Sequence, residues 1–112
     1  MSKTTNMYKD FRKLIRKIKG IKVDVSNPFI IQKGNWSISN YQFWANDKSF
    51  FNNEVELLYD FPGATPGSHD RALYQACVSK NGDVNINGEG LNKRMDKMLK
   101  LYAKNIASIM TH

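Results

Sequence analysis

The chain has 112 residues, of which 41% are hydrophobic and 12% aromatic, enough to bury one compact core and too apolar for a disordered tail. Its single cysteine, Cys77, excludes an internal disulfide framework, and no stretch approaches the roughly 18 apolar residues of a membrane-crossing helix. The formal charge of +7 points to polyanionic partners, and it is unevenly placed: residues 1–22 carry eight Lys or Arg against one acid, Asp10, while residues 23–112 carry nine of each sign.

The first predicted element is a helix over about residues 6–19. Tyr8, Phe11, Leu14, Ile15 and Ile18 recur at helical spacing on one face, and Lys9, Arg12, Lys13, Arg16 and Lys17 occupy the other. Gly20 is its stop. Residues 21–25 alternate apolar and polar as a half-buried strand does, Asn27-Pro28 interrupts them, and Phe29-Ile30-Ile31 resumes the extended pattern. Residues 38–47 fit either a helix with Tyr41, Trp44 and Ala45 on one face or an aromatic-rich strand. Residues 54–59 read as a strand. The two prolines and two glycines of residues 60–69 make a loop. Residues 71–79 and 83–87 form a hairpin around Asn81-Gly82, the strongest short hairpin signal. Asn92 is the N-cap expected for a last helix over about 92–110, with Met95, Met98, Leu99, Tyr102, Ile106 and Ile109 on its apolar side.

The chemistry-bearing residues favour binding over catalysis. Residues 91–104 hold Lys93, Arg94, Lys97, Lys100 and Lys104 against Asp96 alone. No pair of carboxylates has the spacing of a nuclease or glycosidase. His69 has no second histidine nearby, so neither a metal site nor a bound cofactor is expected. Cys77, inside a predicted strand, reads as a small core residue. The aromatics Tyr41, Phe43, Trp44, Phe50 and Phe51 suit a core more readily than a stacking platform for unpaired bases.

At this point the residues resemble the double-stranded RNA-binding domain, whose order is helix, three antiparallel strands, helix. Gly88-Glu-Gly90-Leu-Asn92-Lys93-Arg94-Met95-Asp96-Lys97 matches the family's Gly-x-Gly-x-Ser-Lys-Lys-x-Ala-Lys helix start without a gap, with Asn at the cap and Arg for one Lys. Pro66-Gly67-Ser68-His69 resembles its Gly-Pro-x-His loop with the first two residues reversed, and Ser39-Asn-Tyr41-Gln42-Phe-Trp44-Ala45 resembles its first helix. Asp96 and Lys100 stand where the family places core alanines, which implies a last helix rotated by about one residue. The resemblance covers about residues 36–110. It implies an α+β fold, α-β-β-β-α, with a three-stranded antiparallel sheet and helices on one face in residues 36–112, preceded by a basic helix and short strand in residues 1–35.

The function implied is non-enzymatic binding of double-stranded or structured RNA, as in viral silencing suppressors that sequester duplexes or in RNA–protein particles. Such a domain touches phosphates across the major groove and 2′-hydroxyls in the minor groove. The resemblance assigns phosphate contact to Lys93, Arg94 and Lys97, at a helix start capped by Asn92, with close backbone approach at Gly88 and Gly90. It assigns minor-groove contact to Gly67, Ser68, His69 and Gln42. Lys9, Arg12, Lys13, Arg16 and Lys17 would add affinity. The rival expectation is a small protein-interaction module, or a phage-type inhibitor, that dimerises or binds a partner protein through the N-terminal helix or the Met-rich last helix (Met95, Met98, Met110). A basic helix lying on an anionic membrane is a third reading, without a lipid-attachment motif to support it. The opening residues lack the apolar segment of a secretory signal, so the expected compartment is intracellular, most simply the cytoplasm.

Overall fold

The computed structural model describes residues 3–40, 54–60, 72–87 and 92–111. In chain order they form α1 (Lys3–Ile18), β1 (Val23–Asp24), β2 (Ile30–Lys33), β3 (Trp36–Ser39), β4 (Glu54–Asp60), β5 (Ala72–Ser79), β6 (Val84–Asn87), α2 (Lys93–Ala107) and β7 (Met110–Thr111). Strands β2 to β6 make one antiparallel sheet in sequence order, and both helices pack on the same face of it. The fold is therefore α+β with an antiparallel sheet, as expected, but the sheet has five strands where three were expected.

The two additional strands come from residues 30–39. Ile31 of β2 and Trp36 and Ile38 of β3 point to the helices, and Gly34-Asn35 supplies the two-residue turn, with Gly34 at φ 59° where a side chain would be strained. This corrects the expectation of a helix resembling the family's first helix at residues 39–45: Ser39 ends β3, Asn40 is buried and irregular, and residues 41–45 lie outside the described residues. The helix lying beside α2 is instead α1, from the segment expected to be an extension. The expected boundary between residues 35 and 36 falls inside the β2–β3 hairpin, and one core joins both sides of it.

That core is built from the periodicities of the sequence. Met7, Phe11, Leu14, Ile15 and Ile18 of α1 and Met95, Leu99, Ala103 and Ile106 of α2 meet Trp36, Ile38, Val55, Leu57, Tyr59, Tyr74, Ala76 and Val78 of the sheet. Trp36 sits at the centre, its ring 5.2 Å from that of Phe11, 5.0 Å from Tyr59 and 6.1 Å from Tyr74, and its indole N–H donates to the Met7 carbonyl at 3.0 Å. Each such fully buried side chain contributes about 1.5–3 kcal/mol. The apolar stripe expected for the last helix holds: Met95 and Leu99 are fully buried while Lys100 is exposed.

The helices run parallel and are clasped at their C-terminal ends. Helix α2 stops at Ala107 rather than near residue 110, because Met110–Thr111 turns extended and pairs in parallel with Val23–Asp24. The strand expected over residues 21–25 thus shrinks to two residues and pairs with β7 rather than with the main sheet. Val23 N–H donates to the Ile109 carbonyl, Lys22 Nζ to the Ser108 carbonyl, and Thr111 Oγ1 to the Val23 carbonyl.

Candidate nucleic-acid interface

The outer surface of the helix pair carries cations and no exposed carboxylate. On α1, Lys9, Arg12, Arg16 and Lys17 are exposed and Lys13 is half-buried; on α2, Lys93, Arg94, Lys97, Lys100 and Lys104 are exposed. The only acids in either helix are Asp10 and Asp96, both half-buried. Asp10 lies against Gly34 of the β2–β3 turn, and Asp96 accepts a 2.6 Å hydrogen bond from the Tyr74 hydroxyl. Burial, with the neighbouring Asp96 carboxylate second, holds the Tyr74 hydroxyl well above the usual phenol range, so it stays a donor at every physiological pH.

Tyr8, which the sequence reading left in the apolar stripe of α1, joins the two helices at their N-terminal ends. Its hydroxyl donates to Asn92 Oδ1 at 3.0 Å, and the same oxygen accepts from Met95 N–H at 2.9 Å as the N-cap of α2. The Arg94 guanidinium lies 4.2 Å from the centre of the Tyr8 ring. The first turn of α2 is thus held from below by Tyr74 and from the side by Tyr8, and Arg94 is planted between the helices. Tyr8 could have been singled out from the sequence only by knowing that α1 and α2 are neighbours.

The opposite face of the sheet differs in composition. Among the described residues it carries Gln32, Ser37, Ser39, Glu54, Glu56, Leu58, Asp60, Gln75, Cys77 and Asn85, and no Lys or Arg, and Ser37, Ser39, Glu56, Leu58 and Asp60 of these are buried. Burial, then the Glu54 and Glu56 carboxylates, pushes the Cys77 thiol up to about 12. Cys77 stands on this face rather than in the main core. Among the described residues no group of three or more His, Cys, Asp or Glu could hold a metal ion.

The expected site residues are brought together in part. Lys93, Arg94 and Lys97 share the exposed surface with Lys9, Arg12, Lys13 and Arg16, and Asn92 caps the helix between them. Lys17 leans away, its Nζ donating to the Gln32 carbonyl on β2. Gln42, Gly67, Ser68, His69, Gly88 and Gly90 lie outside the described residues. The methionines expected to form an adaptable surface are core side chains: Met95 and Met110 are buried and Met98 packs against the core. The apolar stripe of α1 is likewise spent in the core.

No family model, curated protein or solved structure matches this chain.

Proposed function

We propose that this protein binds duplex or structured RNA, without chemistry, through the outer surface of the α1–α2 pair. The observation that carries the reading is the one-sided charge: two parallel helices turn their exposed lysines and arginines outward, while the far face of the sheet has no cation among the described residues. A polyanion is steered to the helices.

The aromatic side chains favour a duplex over an unpaired strand. Proteins that hold single strands stack bases on exposed rings. Among the described residues Phe11, Trp36, Tyr59 and Tyr74 are in the core, Tyr102 packs on it, and the ring of Tyr8 is covered by Arg94. Among the described residues the two helices expose chiefly cations, which suit phosphates already held at fixed spacing in a helix. The resemblance of residues 88–97 to the helix start of double-stranded RNA-binding domains points to the same ligand, and makes sequestration of duplex RNA or membership of an RNA–protein particle the biological setting proposed.

The test is fluorescence-anisotropy titration of a labelled RNA duplex of about 20 base pairs, longer than the roughly 16 such domains span. Matched duplex DNA and single-stranded RNA serve as competitors. Duplex RNA is expected to win, and Lys93→Ala with Arg94→Ala to weaken it at least about tenfold with the fold intact. Equal binding to all three nucleic acids, or unchanged affinity in the double variant, overturns the reading.

A further inference from the structure

The two edges of the five-stranded sheet are treated differently. In the β2–β3 hairpin, Lys33 and Trp36 close a two-residue turn as a hydrogen-bonded pair, so the alternation of an antiparallel ladder turns the backbone groups of Gln32 and Ile30 outward. That edge is guarded: Lys17 Nζ occupies the Gln32 carbonyl, Lys33 is exposed beside it, and Pro28 precedes the strand. Lysine, proline and side-chain caps are the usual devices that stop a sheet edge from pairing.

Among the described residues the β6 edge has none of these devices. In the β5–β6 hairpin, Ser79 N–H donates to the Asp83 carbonyl and Gly82 N–H to the Ser79 carbonyl, both at 2.9 Å, which makes Ser79 and Asp83 the hydrogen-bonded pair. The register Val78↔Val84, Cys77↔Asn85, Ala76↔Ile86 then turns the N–H and C=O groups of Val84 and Ile86 away from β5. The strand Val84–Asn87 is uncharged, proline-free and without a bulge, and the sheet ends there among the described residues.

Helix α2 runs back alongside this edge. Lys93, Lys97, Lys100 and Lys104 recur at i, i+4, i+7 and i+11, one stripe of the helix, and all four are exposed. The stripe is placed at one end by Lys104, whose side chain lies over Gly82 of the β5–β6 turn. An open row of backbone donors and acceptors therefore lies beside a row of ammonium groups.

We infer that β6 is a docking edge for an extended acidic segment of another protein, which adds as a sixth strand and sets its carboxylates against Lys93, Lys97, Lys100 and Lys104. Main-chain hydrogen bonds to Val84 and Ile86 supply affinity, and the lysine stripe selects sign, as in other strand-addition interfaces. A second copy of this chain is the poorer occupant, because two β6 edges joined antiparallel would bring two lysine stripes together. The inference does not rest on RNA binding, although a ligand at Lys93 and Lys97 would compete for the same side chains.

The probe is a synthetic peptide of about ten residues alternating glutamate with valine or threonine, roughly the length of a strand with flanks. Its controls carry lysine in place of glutamate, or proline at alternate positions. Amide hydrogen exchange of the full chain is read by NMR with and without peptide. The acidic peptide is expected to bind saturably and slow exchange at Val84 and Ile86, and both controls to fail. Ile86→Pro, which removes an outward donor, should abolish binding. Because Ile86 is half-buried and that variant may not fold, Lys100→Glu with Lys104→Glu is the second arm, expected to weaken the peptide at least about tenfold. Binding that leaves the Val84 and Ile86 amides unprotected, or that survives the proline control, would mean attraction to the lysines alone and overturn strand addition. No binding overturns it as well, and protection of those amides without peptide in a species of doubled mass would assign the edge to a second copy. A folded Ile86→Pro variant keeps its affinity for duplex RNA if the RNA reading holds, so the two proposals fail separately.

Discussion

The Arg94 guanidinium stands 4.2 Å over the ring of Tyr8, whose hydroxyl in turn holds the Asn92 side chain that caps α2. One tyrosine thus fixes the cap and the cation together. Tyr8→Phe keeps the ring under Arg94 and removes one hydrogen bond, a loss of about 1 kcal/mol. Tyr8→Leu removes the ring as well, adding about 0.5–1 kcal/mol for a partly exposed cation–π contact. Thermal unfolding should therefore rank wild type above Tyr8→Phe above Tyr8→Leu. If Arg94 is placed for a phosphate by this ring, Tyr8→Leu also weakens duplex RNA binding and does so no further in an Arg94→Ala background. Additive losses in that double-variant cycle would separate Tyr8 from the binding surface.

Much of this arrangement was legible in the sequence, and the misses share a cause. The hairpin at Asn81-Gly82, the amphipathic faces of both helices and the Asn92 cap are local signals, and each stands where periodicity and turn chemistry put it. The β2–β3 hairpin carried an equally local signal. Ile31, Lys33, Trp36 and Ile38 alternate around Gly34-Asn35, but residues 38–47 fit a helix as well as a strand, and the resemblance puts a helix at residues 39–45. The partnership of α1 with α2 left no local trace, since Tyr8 and Asn92 are 84 residues apart. The same holds for the β1–β7 clasp, where Val23 pairs with Met110 beyond the helix ends that Ile18 and Ile106 anchor in the core.

Charge on the helix layer predicts a salt dependence. If Lys9, Arg12, Arg16, Lys93, Arg94 and Lys97 each meet a phosphate, the logarithm of the duplex affinity falls steeply and linearly with the logarithm of salt concentration. Each alanine substitution at one of them should reduce the slope by about 1. Lys17→Ala should change it least, because the Lys17 ammonium is engaged at the Gln32 carbonyl. Titrations at four salt concentrations check this. A Lys17 effect as large as that of Arg94 would place the ligand across the β2 edge instead.

Two kinds of buried polar side chain make opposite predictions. Asn40 is fully buried and fully used: its Nδ2 donates to the Val25 and Asn27 carbonyls, and its Oδ1 accepts from Phe29 N–H, fastening the loop between β1 and β2. Asn40→Ala strands those groups and should cost on the order of 2–4 kcal/mol. Ser37 and Ser39 are as deeply buried on the far face of the sheet, yet among the described residues neither hydroxyl has a hydrogen-bond partner. Ser37→Ala and Ser39→Ala remove a desolvated group without breaking a bond, so chemical denaturation should find each variant at least as stable as wild type. A loss above about 1 kcal/mol in either would show that its hydroxyl is satisfied in solution.

Alkaline pH should destabilise the fold through groups that burial holds neutral. Cys77 is held neutral by burial and by the Glu54 and Glu56 carboxylates, so its folded value is pushed up to about 12 from an ordinary 9.0. Tyr74 is raised in the same direction by burial and Asp96. When the unfolded chain ionises first, it binds fewer protons than the folded one, and stability falls as pH rises. The contribution is therefore complete below about pH 9 and is lost progressively between 9.0 and about 12. Denaturation midpoints measured from pH 7 upward should decline across that window, and Cys77→Ser, whose hydroxyl does not titrate there, should decline less. The same neutral thiol should react slowly with iodoacetamide at pH 8 in the folded protein and much faster in denaturant, since only the thiolate is nucleophilic. Equal rates in the two states would mean that Cys77 is open to solvent and that its neighbours exert no such hold.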